Sequence, residues 1–132
     1  MDRARSRELG AVFCGGVLGA LVRAGLVEAW APPAGHWPWL TFTVNVAGAA
    51  LVGWLASRYS GHLREPRYRL WGSGLCGSLT TFSTMQLELF EMLDAGRVGL
   101  AVVYATASVA AGLAAVALFS ALERRLGAAW AG

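Results

Sequence analysis

Residues 74–86 read GLCGSLTTFSTMQ. They fall inside the third of four long apolar stretches, at a depth where a helix facing lipid would carry Leu, Ile and Val. The run instead offers Gly74 and Gly77, then the hydroxyls of Ser78, Thr80, Thr81, Ser83 and Thr84, with Phe82 set among them. Glycine inside a helix costs about 1 kcal/mol against alanine, and Ser and Thr side chains compete for backbone hydrogen bonds. With Gly72 just upstream, this composition favours a break in the helix. Broken backbone at membrane depth is tolerated only where it is buried in protein or lines a polar cavity. Freed carbonyls are ligands for a hard cation, hydroxyls can donate to a small anion, and the edge of the Phe82 ring is positive. The stretch reads as the wall of a dry pore rather than as an enzyme site.

The flanking chain supplies the membrane context. Apolar blocks cover residues 9–31, 38–58, 67–95 and 98–122, and a bilayer crossing takes about 20 residues. The last block holds 25 residues without a charge, about 37 Å of helix and enough to span with tilt. The links are short: PPAGHW at 32–37, YSGHLREP at 59–66, and a tight turn at Asp94-Ala95-Gly96. Trp30, Trp37, Trp39 and Trp71 sit near block ends, as interfacial anchors do. The chain is 132 residues long, 56% hydrophobic and 14% charged, well under the roughly 25% charge of a soluble domain. The expectation is an all-α membrane protein: one transmembrane domain over 1–132 with four helices, the third broken near its middle.

All 11 basic residues are Arg, and net charge is +3. They flank the apolar blocks instead of gathering on a soluble face, which argues against nucleic-acid binding and for contact with the lipid bilayer. With four crossings, Arg3, Arg5, Arg7, Arg58, Arg64, Arg67, Arg69, Arg124 and Arg125 share one side; the other side has Arg97. The positive-inside rule then puts both termini in the cytoplasm. Cys14 and Cys76 lie within apolar blocks without metal or redox spacing and read as packing residues.

Small residues recur at four-residue spacing: Gly15 and Gly19, Ala49 and Gly53, Ser108 and Gly112. Such spacing lets helix backbones approach where lipid gives no hydrophobic drive. Four thin helices hardly enclose a pathway alone, so an oligomer is expected. Asn45, in TFTVNVAG, is mid-span. Its amide either glues helices together by a hydrogen bond or lines a pathway and donates to a substrate. Arg23 is a charge within a span, which defaults to a position facing protein or water. Glu88, Glu91 and Asp94 read as a solvated helix end, and no nucleophile or metal-ligand set accompanies them. His36 and His62 are loop residues without partner spacing.

Three stretches together, GGVLGALVR (15–23), WPWLTFTVNVAG (37–48) and GLCGSLTTFST (74–84), resemble the small bacterial fluoride channels of the Fluc or CrcB family. The resemblance implies a four-helix subunit in an antiparallel dimer with two pores. It also implies a structural Na⁺ at the dimer centre, held by the backbone carbonyls of Gly77 and Thr80. By position, Asn45 would donate to fluoride, Phe82 would present its ring edge, and Ser83, Thr84, Tyr104 and Ser108 would form a polar track. Arg23 would stand in a vestibule. The implied role is passive export of cytoplasmic fluoride through the bacterial plasma membrane, with no covalent chemistry and so no enzyme.

The sequence departs from that family at two positions. Met85 stands where many members carry a second Phe, and Leu40 where a Gly is usual. Met85 therefore joins the pathway residues as an apolar, polarizable group without a positive ring edge. The Arg asymmetry also departs from the dual topology of single-gene members. A chain of fixed orientation would pair with an oppositely oriented paralogue, whereas one that inserts both ways would form a homodimer. The competing reading is a small four-span antiporter or exporter of another ion or small molecule. Such a protein needs a titratable carboxylate deep in a span, and the deep groups here are an amide and hydroxyls. A non-transporting scaffold would leave Asn45 and the hydroxyl run as helix glue alone.

Overall fold

The computed structural model describes residues 3–30 and 36–130, the last three of these by backbone alone. All regular structure among the described residues is helical. Helix α1 is Arg3–Ala29 and α2 is Trp39–Arg58. Helix α3 covers residues 66–79: it opens with Pro66–Tyr68, widens into a π-helix over Arg69–Cys76 and closes with Gly77–Leu79. Helix α4 is Phe82–Asp94 and α5 is Val98–Trp130. The end of the first expected span at residue 31, and residues 32–35 of the first loop, lie outside the described residues.

Three helices, α1, α2 and α5, are long and apolar enough to cross a membrane. The third expected span is present as α3 and α4, two helices bent against each other at Thr80 and Thr81. Two helices extend beyond the apolar blocks they contain. Helix α1 begins at Arg3, well before residue 9, and α5 runs past residue 122 to Trp130. Both extensions carry Arg, whose long side chains keep their charge in water while the helix continues.

Close backbone approach explains Gly15, Gly19, Gly53 and Gly74. A Cβ on Gly74 would lie 2.7 Å from the Val12 carbonyl oxygen, and one on Gly15 would collide with the Leu70 carbonyl. Helices α1 and α3 thus pack backbone to backbone. Gly53 does the same for α2 and α5: its Cβ would lie 2.6 Å from the Val116 carbonyl. Its own carbonyl accepts a hydrogen bond from Ser120 Oγ at 2.9 Å. Among the glycines of α3, Gly74 therefore serves packing rather than breaking. Gly74 is buried, and the chain leaves the helix only at Thr80.

Helix α4 packs on α5 through Met85, Met92, Ala101 and Tyr104, with Trp37 and Phe42 against them. The turn between these helices is set by Gly96, whose φ is 71°. Gly96 N–H bonds the Leu93 carbonyl and Arg97 N–H bonds the Met92 carbonyl at 2.8 Å, a Schellman cap that needs the left-handed residue.

Candidate functional site

The break is built from side chains that take over backbone bonds. Thr80 (ψ 148°) and Thr81 (φ −144°, ψ 111°) are extended. Asn45, on α2, reaches both polar groups of Thr81: Thr81 N–H donates to Asn45 Oδ1 at 2.8 Å, and Asn45 Nδ2 donates to the Thr81 carbonyl at 3.1 Å. Thr81 then caps α4, its Oγ1 accepting from Thr84 N–H at 3.2 Å, as an N-cap threonine does. Arg23, on α1, donates from Nε to the Ser78 carbonyl at 3.1 Å. Gly48 lies directly under the Thr80 methyl, with no room for a side chain of its own.

These substitutions release two carbonyls. In an unbroken helix the Gly77 carbonyl would bond Thr81 N–H and the Thr80 carbonyl would bond Thr84 N–H. Both N–H groups are committed elsewhere, to Asn45 Oδ1 and to Thr81 Oγ1. A Cβ on Gly77 would meet nothing within 4 Å, so the chain is open on that side. Uncommitted carbonyl oxygens are suited to a hard monovalent or divalent cation.

Above the break lies a cavity of about 20 Å³ lined by Arg23, Thr41, Thr81 and Thr84, with Leu40 and Val44. That is room for about one water. Arg23, Thr41, Thr81 and Thr84 therefore bring polar groups to one small, largely apolar space, and Thr81 is the residue that Asn45 holds. An Asn amide carries two N–H donors, of which the bond to Thr81 uses one. Phe82 and Ser83 point away from the chain's interior; Phe82 is 68% exposed.

The other expected pathway residues lie within the chain. Tyr104 is fully buried and Met85 nearly so, clustered with Met92 and Ala101. Ser108, one turn along α5 from Tyr104, has a buried hydroxyl oxygen. Tyr104 OH donates to Glu88 Oε2 at 2.7 Å, and Thr41 Oγ1 donates to Glu88 Oε1. The expectation that Glu88 belongs to a solvated helix end is overturned, because its carboxylate is bound inside the fold by two hydroxyls. The spacing carried a signal for this. Glu88 is three residues after Met85 and four before Met92, on the face of α4 that packs inward. Thr41 precedes Asn45 by one turn, and Thr84 precedes Glu88 by one turn. The site is thus a column of Arg23, Thr41, Asn45, Thr81, Thr84, Glu88 and Tyr104, drawn from α1, α2, α4 and α5 and from the break itself. Among the described residues no group of His, Cys, Asp and Glu is placed to hold a metal.

A family model described as CrcB-like protein, Camphor Resistance (CrcB), matches residues 10–119. A protein of Mycobacterium bovis named fluoride-specific ion channel FluC 1 is 52% identical over 122 residues, covering 91% of this chain and 92% of the relative. The protein of the same name from Mycobacterium tuberculosis matches equally. The fluoride-specific ion channel FluC of Beijerinckia indica is 40% identical over 120 residues, covering 87% of this chain and 94% of the relative.

Proposed function

The chain belongs to the CrcB-like family, and from that premise we propose that it is a subunit of a fluoride-selective channel, a passive exporter that lowers cytoplasmic fluoride and catalyses no covalent reaction. The observation that carries the proposal is the water-sized cavity lined by Arg23, Thr41, Thr81 and Thr84, with Thr81 held by the Asn45 amide. It offers a positive charge and several donors to a small anion. Fluoride is close to water in size, and desolvating it needs such fixed donors. Phe82, the exposed residue next after Thr81, would add the positive edge of its ring.

The pathway runs past Asn45, Phe82, Ser83 and Thr84 to Tyr104 and Ser108, with Arg23 at the vestibule and Met85 behind the wall. Since Phe82 and Ser83 face outward from one chain, a second chain completes the pore. The subunit crosses the membrane four times, α3 and α4 together making the third crossing, and pairs antiparallel in the bacterial plasma membrane with its termini in the cytoplasm. The released carbonyls of Gly77 and Thr80 fit a central Na⁺ shared between two such chains. The bound ion would supply a fixed positive charge where the two breaks meet.

The partner is either a second copy or a paralogue of opposite orientation. The concentration of Arg on one side supports fixed insertion and hence the paralogue. Reporter fusions at the C-terminus test this: signal from both sides of the membrane would favour the homodimer. The channel itself is tested by efflux from liposomes containing the purified protein, alone and with its partner. Rapid fluoride release with chloride and protons excluded is expected. Absence of fluoride flux in both preparations refutes the proposal. Exchange of another ion, coupled to protons, would favour an antiporter.

A further inference from the structure

The face of α2 turned away from the break carries a different surface. Ala47, Ala50, Leu51 and Trp54 form with Phe119 and Leu122 of α5 an apolar groove of about 480 Å³. At its end the chemistry changes abruptly. One turn beyond Trp54 is Arg58, whose guanidinium lies 5.9 Å over the Trp54 ring and pairs with Glu123 at 3.0 Å. There a second, polar cavity of about 330 Å³ opens, lined by Arg58, Tyr59, His62, Glu65, Arg67 and Glu123.

From these features we infer that the α2–α5 groove is a site for one phospholipid, an acyl chain in the groove and an anionic phosphate headgroup between Arg58 and Arg67. The dimensions fit one leaflet: eleven residues from Ala47 to Arg58 span about 16 Å, half of a hydrocarbon core of about 30 Å. The tyrosines Tyr59 and Tyr68, with ring centroids 6.2 Å apart, and Trp54 mark the depth of the headgroups, where such amphipathic rings collect. Two arginines and two glutamates line the polar cavity, so a phosphate would be held by the placement of Arg58 and Arg67 and not by a net positive charge. Arg58 remains 57% exposed although paired with the almost buried Glu123, so part of its guanidinium is free to a second anion. Arg67 makes no ion pair among the described residues. Basic pockets at the cytoplasmic ends of membrane helices hold lipid phosphates in this way. Neither Arg belongs to the fluoride column, so the site stands apart from it.

The test is native mass spectrometry of the full-length protein after exchange into mixed micelles containing phosphatidylglycerol. One phosphatidylglycerol per chain is expected to survive desolvation in the wild type. Retention should fall about five-fold in R67Q, the factor that the loss of one cation near an anionic headgroup of about 1 kcal/mol implies. It should fall further in R58Q/R67Q. R58Q leaves Glu123 buried without its partner, so R67Q and the groove-filling A50F are the decisive variants; A50F should also lose the lipid. Three results overturn the inference: equal retention in R67Q and wild type, displacement of the bound mass by millimolar glycerol phosphate, or quantitative disulfide linkage of two chains through A50C. The second means a free phosphate site, and the third means that another copy of the chain covers the groove.

Discussion

The amide of Asn45 stands in for a peptide group opposite Thr81, accepting from its N–H at 2.8 Å and donating to its carbonyl at 3.1 Å. A helix break at membrane depth strands backbone groups that lipid cannot solvate. Here one side chain from α2 satisfies two of them and fixes where the break occurs. The same amide has a second N–H that the bond to Thr81 does not use, so the bonds that hold the break and a donor offered to an ion would belong to different atoms of one residue.

Asn45→Asp separates those roles. A carboxylate still accepts from Thr81 N–H, so α4 keeps its start. It cannot donate to the Thr81 carbonyl, and an unpaired buried acceptor costs about 1–3 kcal/mol. It also sets a negative charge against fluoride, worth a few kcal/mol at about 4 Å in a semi-polar medium. The expected outcome is a protein that elutes as the wild type does in size-exclusion chromatography, with fluoride efflux reduced at least about a hundred-fold. Efflux at the wild-type rate would remove Asn45 from the pathway.

Phe82 offers the opposite case. Its ring is 68% exposed and makes little packing within the chain, and surface substitutions of this kind change stability by about 0.5 kcal/mol or less. Phe82→Ala is therefore expected to leave the thermal unfolding of the subunit unchanged while fluoride efflux falls sharply. A large loss of stability with normal efflux would assign Phe82 to packing and remove it from the pathway.

The broken segment was legible because residue types do what their chemistry allows. Five hydroxyls in an apolar run marked a segment that could not sit against lipid, and the break falls among them at Thr80–Thr81. The cause of the break was less legible. Gly72, Gly74 and Gly77 invited the reading of a loosened helix, yet Gly74 is a packing residue pressed on the Val12 carbonyl. The partner that captures Thr81 is 36 residues away in sequence. Long-range pairing of this kind leaves no periodic trace. Glu88 was misread for a related reason. A carboxylate near a helix end is usually solvated, and only its spacing from Met85 and Met92 placed it on the buried face.

The packing role of Gly74 makes a paired prediction. Gly74→Val puts branched carbons where the first would lie 2.7 Å from a backbone oxygen. Backbone cannot yield as a side-chain tip can, and overpacking of this sort costs about 1–3 kcal/mol or more. Gly77→Ala, with nothing within 4 Å of the new carbon and an unchanged carbonyl, is expected to be neutral or stabilising by about 1 kcal/mol. Thermal unfolding in detergent should separate the two variants. Similar midpoints would show that α1 and α3 are not in backbone contact.

Glu88 and Tyr104 give a coupled prediction. Tyr104 is fully buried, and its hydroxyl has the Glu88 carboxylate as acceptor. Glu88→Ala strands that hydroxyl together with Thr41 Oγ1, so the cost should approach about 1–3 kcal/mol for each unpaired group. Tyr104→Phe removes one donor and leaves the carboxylate held by Thr41, a smaller loss. Adding Tyr104→Phe to Glu88→Ala should cost little more, because the hydroxyl it removes is already unpaired. A double-mutant cycle read by chemical denaturation in detergent should therefore give a coupling energy of about 0.5–3 kcal/mol. Glu88→Gln keeps one acceptor oxygen and the shape of the side chain, so it should fold nearly as well as the wild type while changing the local charge. A fall in fluoride efflux in Glu88→Gln, with stability retained, would place the carboxylate's charge in the conduction path; unchanged efflux would confine Glu88 to holding Tyr104 and Thr41 in place.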